Sequence, residues 1–203
     1  MGKDRRRRAT CEGKVPNCEK HQVRAVAFPH PSFVLSASRD KSVRLWKALA
    51  SSPPPTYDSS FVSNGSDFVN SVAFVPPSTE FADGLVVAGG RDAIIEVRAP
   101  GKLPQDNADA LLLGHAGNVC ALDVSEDGAY IVSGSWDTEA RVWQVGRWES
   151  SVQLQGHDAS VWAVCYYDKE TIITGEWSYL RRGVTSRNME HRGRVVGSLA
   201  SLE

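Results

Sequence analysis

Three stretches of this chain repeat one spacing. "LSASRDKSVRLW" holds Ser36, Asp40 and Trp46; "VAGGRDAIIEVR" holds Ala88, Asp92 and Arg98; "VSGSWDTEARVW" holds Ser133, Asp137 and Trp143. Each sets a small residue, an acid four positions on, and a bulky side chain six after that. An alternating apolar segment precedes each copy: "VRAVAF" from Val23, "VNSVAF" from Val69 and "VCALDV" from Val119. A fourth segment, "VWAVCY" from Val161, is followed by "TIITG", Thr171 to Gly175. A unit that recurs along a chain constrains the fold more than any single motif, because neighbouring units must then pack in the same way.

The four starting valines lie 42 to 50 residues apart. That brackets the roughly 40 to 45 residues of a four-stranded propeller blade, with loop insertions. In the third copy the period-2 alternation predicts strands over Val119–Val124, Tyr130–Ser133 and Ala140–Val145, with "EDG" and the region around Asp137 as turns. "SVQLQ" (Ser151 to Gln155) makes a fourth strand leading into the next "GH", and "LLLGH" (Leu111 to His115) does so one copy earlier. Nothing has a helical period. The chain is therefore expected to be all-β, an array of small antiparallel sheets that cannot each bury two faces alone and so must stack.

The polar residues at fixed offsets then acquire a structural role. "GH" ends the outer strand and turns into the next inner one, which brings His115 near the turn of Asp137. A tryptophan offers only a donor, serine donates and accepts, neutral histidine does each once, and aspartate accepts. A chain from Trp143 to Ser133 to His115 to Asp137 satisfies every group, and a buried hydrogen bond to a charged partner contributes roughly 1.5–3 kcal/mol. On paper Ser133, His115 and Asp137 also spell a hydrolase triad. A nucleophilic serine needs exposure and an oxyanion hole, whereas "SGS" falls within a strand and the trio partly recurs in other copies. The chain is accordingly expected not to be an enzyme and to have no catalytic residue.

The copies are unequal. The first has Ser36, Asp40 and Trp46, but its His21 stands only two residues before Val23, whereas His115 and His157 precede their valines by four. The second has Asp92, no histidine, and Arg98 in the tryptophan's place. The fourth has His157 and Thr174, after which Ser178 holds the acid's offset and Val184 the tryptophan's.

Composition narrows the partners. The chain is 41% hydrophobic and 23% charged, with a net charge of -1, so no global field favours nucleic acid or an anionic membrane. No apolar run approaches the roughly 20 residues of a membrane helix. Four cysteines in 203 residues build no dense disulfide framework, which implies a reducing compartment, cytoplasmic and/or nuclear. Cys11, Cys18, His21 and His30 match no common zinc spacing, so no metal or other cofactor is expected. Cys120 and Cys165, in inner strands, read as small buried thiols.

The wording of "SRDKSVRLW", "GLVVAGGRDAIIEV", "GHAGNVCALD", "SGSWDTEARVW" and "LQGHDASVWAVCYYDKETIITG" resembles the first four blades of WD-repeat proteins of the phospholipase A-2-activating protein family. The resemblance covers about Val23 to Gly175. It implies a WD-repeat β-propeller, incomplete here at about three and a half of seven blades. It also implies ubiquitin as the partner, within ubiquitin-dependent degradation and ubiquitin homeostasis, and a link to the valosin-containing AAA ATPase only through domains absent from this chain. On this reading residues 1–22 are a basic, poorly ordered segment with Arg5 to Arg8 as a solvated run, 23–175 are the blades, and 176–203 are a poorly ordered tail foreign to the family, of the kind a frameshift, retained intron or truncated gene model leaves. The alternatives are a WD-repeat adaptor for another client and a truncated, non-functional product.

A binding face follows from the same offsets. Arg39, Arg91 and Trp136, each just before a turn acid, project from one rim, and Asn118 and Ser160, leading into inner strands, lie nearby. Arginine and tryptophan are over-represented in binding hot spots; the competing reading is that these side chains only fill gaps between blades. "ALASSPPPTYDSS" (Ala48 to Ser60) reads as a long surface loop.

Overall fold

The computed structural model describes residues 22–30, 33–49, 56–102, 106–168, 171–176 and 193–198. Four antiparallel sheets follow one another along the chain. The first contains β1 (Val23–His30), β2 (Phe33–Ser38), β3 (Ser42–Leu49) and β4 (Thr56–Asn64); the second β5 (Val69–Val75), β6 (Leu85–Gly90), β7 (Ile95–Arg98) and β8 (Ala110–Leu112). The third contains β9 (Val119–Val124), β10 (Tyr130–Ser135), β11 (Ala140–Gln144) and β12 (Ser150–Leu154). The fourth has β13 (Val161–Tyr166), β14 (Thr171–Glu176) and β15 (Gly193–Ser198) among the described residues. Each sheet is a meander in which sequential strands pair, the arrangement of propeller blades.

Period-2 alternation explains how the blades stack. Side chains of a strand point alternately to its two faces. In the second blade Val86 and Ala88 pack with Leu35, Val43 and Leu45 of the first. Leu85 and Val87 pack the other way, with Val119, Ile131 and Trp143 of the third. In the third blade Val132 and Val142 turn to Val161 and Ile172 of the fourth. Three apolar layers therefore alternate with the sheets, and the middle strands are buried on both faces. The end blades lack one such layer among the described residues. Val26 and Phe28 of β1 are 57% and 76% exposed, and Cys165 of β13 is exposed rather than buried as its inner-strand position suggested.

The turn acids share a job that the spacing did not reveal. Asp40, Asp92 and Asp137 each accept, through one carboxylate oxygen, the amide of the residue two further on: Ser42 at 2.9 Å, Ile94 at 3.2 Å and Glu139 at 3.0 Å. The intervening residue is left-handed in all three blades, with φ of 74° at Lys41, 64° at Ala93 and 74° at Thr138. None of these is a glycine, and a β-branched residue such as Thr138 is the most strained in that region. The carboxylate closes the hairpin and offsets that strain. This is why the acid recurs even in the second blade, which has neither histidine nor tryptophan. A different device, Gly128 at φ 72°, turns β9 into β10: a Cβ there would stand 2.9 Å from a Pro76 ring carbon of the second blade.

Two expectations are corrected by the strand bounds. "ALASSPPPTYDSS" is not one long loop: its Ala48 and Leu49 end β3 and its Thr56–Ser60 begin β4, which pairs with β3 through Ala48↔Tyr57 and Leu49↔Thr56, while residues 50–55 lie outside the described residues. The domain end expected at Gly175 falls inside a sheet, since β14 continues to Glu176 and β15 pairs along it through Ile173↔Val195 and Thr174↔Arg194. The missed strand has a physical reason: its partner supplies the ladder bonds that its own glycine-flanked sequence does not advertise. The basic run Arg5 to Arg8, the residues Cys11, Cys18 and His21, and both Ser178 and Val184 lie outside the described residues.

Candidate functional site

In the third blade four side chains form one continuous network. The Trp143 indole Nε1 donates to Ser133 Oγ at 2.8 Å. Ser133 Oγ lies 2.7 Å from His115 Nε2, and His115 Nδ1 lies 2.7 Å from Asp137 Oδ2. The same carboxylate oxygen accepts the Ala116 amide at 2.9 Å. One proton assignment satisfies all of these contacts: serine donates to Nε2 and a neutral imidazole donates from Nδ1 to the acid. Burial pushes the His115 imidazole below its ordinary value although Asp137 pulls the other way. Burial alone would raise Asp137, but the Ala116 amide, the His115 N–H and the Glu139 amide outweigh it and hold the carboxyl below the usual range.

Ser133 is fully buried, and its oxygen already accepts the indole N–H. A hydroxyl so placed cannot meet a substrate carbonyl. The trio binds strands together; it does not present a nucleophile.

The other blades hold parts of the network. In the first, Trp46 Nε1 donates to Ser36 Oγ at 2.8 Å, while Asp40 accepts both the amide and the hydroxyl of Ser42. In the second, Ser66 donates its hydroxyl to Asp92, and Arg98 occupies the tryptophan position. Its guanidinium grips Glu96 at 2.9 and 2.7 Å, and Glu96 also accepts the Ser63 hydroxyl of the first blade at 2.6 Å. In the fourth, His157 Nε2 lies 2.7 Å from Thr174 Oγ1, but its Nδ1 partner is Glu176, at 2.9 Å. Glu176 also accepts the Asp158 amide at 3.0 Å, reproducing what Asp137 does for Ala116. Ser178 was expected in this place by offset. Glutamate is one methylene longer than aspartate, so it spans the same distance from a position two residues earlier.

Both shifts in the third blade run the same way with pH. The unfolded chain takes up a proton at His115 as pH falls through about 6.5, and the folded chain resists it, so stability drops on acidification from there. Asp137, depressed in the fold, contributes stability that is present above about pH 4 and lost as pH falls through its folded value. Urea unfolding of the intact chain at pH 7.5 and 5.5 checks the first step. The wild type is expected to lose more stability between these values than His115→Asn, and equal losses would remove His115 as the cause.

Outside the network, one face gathers the residues that precede the turn acids. The amides of Arg39, Arg91 and Trp136 donate to the carbonyls of Gln22, Phe68 and Asn118 at 3.0, 2.9 and 3.0 Å. Each acceptor is the residue just before an inner strand, so one backbone bond pins the rim identically in three blades. Ser160, at the corresponding place in the fourth, donates its hydroxyl to the Trp136 carbonyl at 3.5 Å. Arg39, Arg91, Asn118 and Trp136 all line one shallow cavity of about 200 Å³. The guanidiniums of Arg39 and Arg91 each lie 5.7 Å from the Phe68 ring centre, and the Trp136 and Trp162 rings lie 5.5 Å apart. These side chains do fill gaps between blades, yet Trp136 remains 49% exposed.

Sequence reasoning missed a third set on this face: Arg24, Asn70, Cys120 and Trp162, each the second residue of an inner strand. Aligning the copies one position past the first valine would have found them. Asn70 donates to the Asn118 side chain at 2.8 Å. Cys120 donates its thiol to the Val161 carbonyl at 2.9 Å, and burial pushes that thiol up to about 12, which keeps it unreactive.

The family model described as "WD domain, G-beta repeat" matches residues 10–47 and 109–144. The chain is 39% identical over 147 residues to phospholipase A-2-activating protein of Xenopus laevis, covering 70% of this chain and 17% of that protein. It is 36% identical over 140 residues to protein DOA1 of Saccharomyces cerevisiae, covering 69% and 18%. It is 32% identical over 128 residues to ubiquitin homeostasis protein lub1 of Schizosaccharomyces pombe, covering 63% and 17%. The chain thus spans less than a fifth of the length of these relatives. Among solved structures, the WD40 β-propeller domain of Doa1 superposes with a TM-score of 0.66 at 30% identity, covering 78% of this chain and 50% of that one.

Proposed function

We propose that this chain, which matches the WD-domain model in part and resembles phospholipase A-2-activating protein and the WD40 propeller of Doa1, is a non-catalytic scaffold that binds ubiquitin through its arginine–tryptophan rim. The observation that carries the reading is the convergence of Arg39, Arg91, Asn118 and Trp136 on one face, in a chain whose relatives include one named for ubiquitin homeostasis. The mechanism is rigid display. Each rim residue is held by a backbone bond to the loop ahead of an inner strand, and these strands are locked by the apolar layers between blades. Little conformational freedom is then lost on docking. A half-exposed indole on such a face is the type of side chain that dominates interface energies.

Titration of the intact chain with mono-ubiquitin, followed by calorimetry, tests this. Trp136→Ala is expected to weaken binding by about tenfold or more, the size of a hot-spot truncation. Absence of ubiquitin binding by the folded wild type would overturn the proposal, and undiminished binding by Arg39→Ala and Trp136→Ala variants would remove this face from it.

A further inference from the structure

The rim carries more positive charge than its carboxylates neutralise. Arg24, Arg39 and Arg91 line the cavity together. Among the described residues, only Arg91 of the three has a carboxylate partner within 4.0 Å, and that contact, with Asp67 at 3.9 Å between two exposed side chains, is loose. Such a pair contributes little and yields readily to a better-placed anion. Arg39 and Arg91 are also ordered before any ligand arrives. Both guanidiniums pack on Phe68, and stacked guanidiniums keep their N–H edges available to carboxylates. Beside them, Trp136 and Trp162 offer an apolar shelf, 49% and 38% exposed.

We propose that this rim binds an extended acidic peptide segment of a protein partner, with two carboxylates on Arg39 and Arg91 and a neighbouring apolar side chain on the Trp136–Trp162 shelf. The spacing sets the register. Each guanidinium carbon is 5.7 Å from the Phe68 centre, so the two cations stand no farther apart than twice that distance. In an extended peptide, side chains two residues apart emerge on the same side about 6.6–6.8 Å apart, within that limit; side chains four apart, at about 13 Å, exceed it. The limit admits acidic–x–acidic beside an apolar residue and excludes acids four positions apart. Arg24 adds charge at the first-blade side of the cavity and favours further acids at that end. A nucleic-acid strand also combines anions with stacking, but it needs a basic track along its backbone. Here the cations of the cavity stop at the second blade, and the net charge of the chain is -1.

The inference does not depend on ubiquitin and is tested without it. A fluorescein-labelled peptide with two glutamates two positions apart and a following phenylalanine is titrated with the intact chain by anisotropy. The same peptide with glutamines is the control, and a phosphoserine-for-glutamate version separates phosphate from carboxylate chemistry. Binding of either acidic peptide at least tenfold tighter than the glutamine peptide, and weaker at higher salt, supports the proposal. Arg39→Glu and Arg91→Glu should each weaken it by about tenfold in variants that still unfold cooperatively on heating, and the milder Arg39→Gln should fall between. Equal affinity for acidic and neutral peptides, or no response to charge reversal in folded variants, overturns it. Displacement of the peptide by a short single-stranded oligonucleotide at equal concentration would reassign the face to nucleic acid.

Discussion

Trp143→Ala lowers the free energy of unfolding by about 4 kcal/mol, the range expected for truncating a large buried aromatic. Trp143 is 1% exposed and sits in the layer between the second and third blades, against residues such as Ile131 and Val119. Removing it opens a cavity that two sheets, each held by its own ladder, cannot collapse to fill. It also takes away the indole N–H that Ser133 accepts. Trp143→Phe separates the two contributions, because it keeps most of the ring and loses the donor; it should cost clearly less than the alanine variant. Urea denaturation of the intact chain followed by far-ultraviolet circular dichroism measures both. A loss below about 1 kcal/mol for Trp143→Ala would mean that the interface between these blades is not the tight layer described.

Asp137→Ala lowers stability by about 3 kcal/mol, near the cost of stranding a buried donor, His115, that had a charged acceptor. Three donors lose their partner at once: His115 Nδ1 and the amides of Ala116 and Glu139. The left-handed Thr138 also loses the bond that closes its turn. Asp137→Asn keeps an acceptor oxygen without the charge and should lose less. The effect should not add to that of His115→Ala, because the two side chains share one network. Additive losses in a double-mutant cycle, or a loss within about 0.5 kcal/mol for Asp137→Ala, would detach the acid from the network.

These predictions assign the recurring acid two roles of different reach. Closing its own turn is local, and it occurs at Asp40, Asp92 and Asp137 alike. Holding a histidine from the preceding loop is tertiary, and among the described residues it occurs at Asp137 and, through a substitute, at Glu176. Arg98 shows the same freedom in the second blade. The tryptophan's place is taken by a guanidinium that reaches Glu96, and Glu96 in turn ties the blade to Ser63 of its neighbour.

What could be read directly from the chain was whatever repeats over short range. Alternation placed the inner strands at Val23, Val69, Val119 and Val161. Fixed offsets singled out Ser133, His115, Asp137 and Trp143, and the same offsets picked Arg39, Arg91 and Trp136 as neighbours on a rim. Period and offset follow from backbone geometry, which is the same in every blade, so they survive in one dimension. The partner of His157 did not, because reach depends on side-chain length as well as position, and Glu176 meets the imidazole from an offset that no other blade uses. Nor did the strand β15, whose ladder is supplied by its neighbour. The balance of charge on the rim was equally hidden: the offsets picked Arg39 and Arg91 but not Arg24, and none of them says which carboxylates lie nearby. Only the stacking of the blades sets the three arginines beside two tryptophans while bringing, among the described residues, one carboxylate, Asp67, within 4.0 Å of any of them.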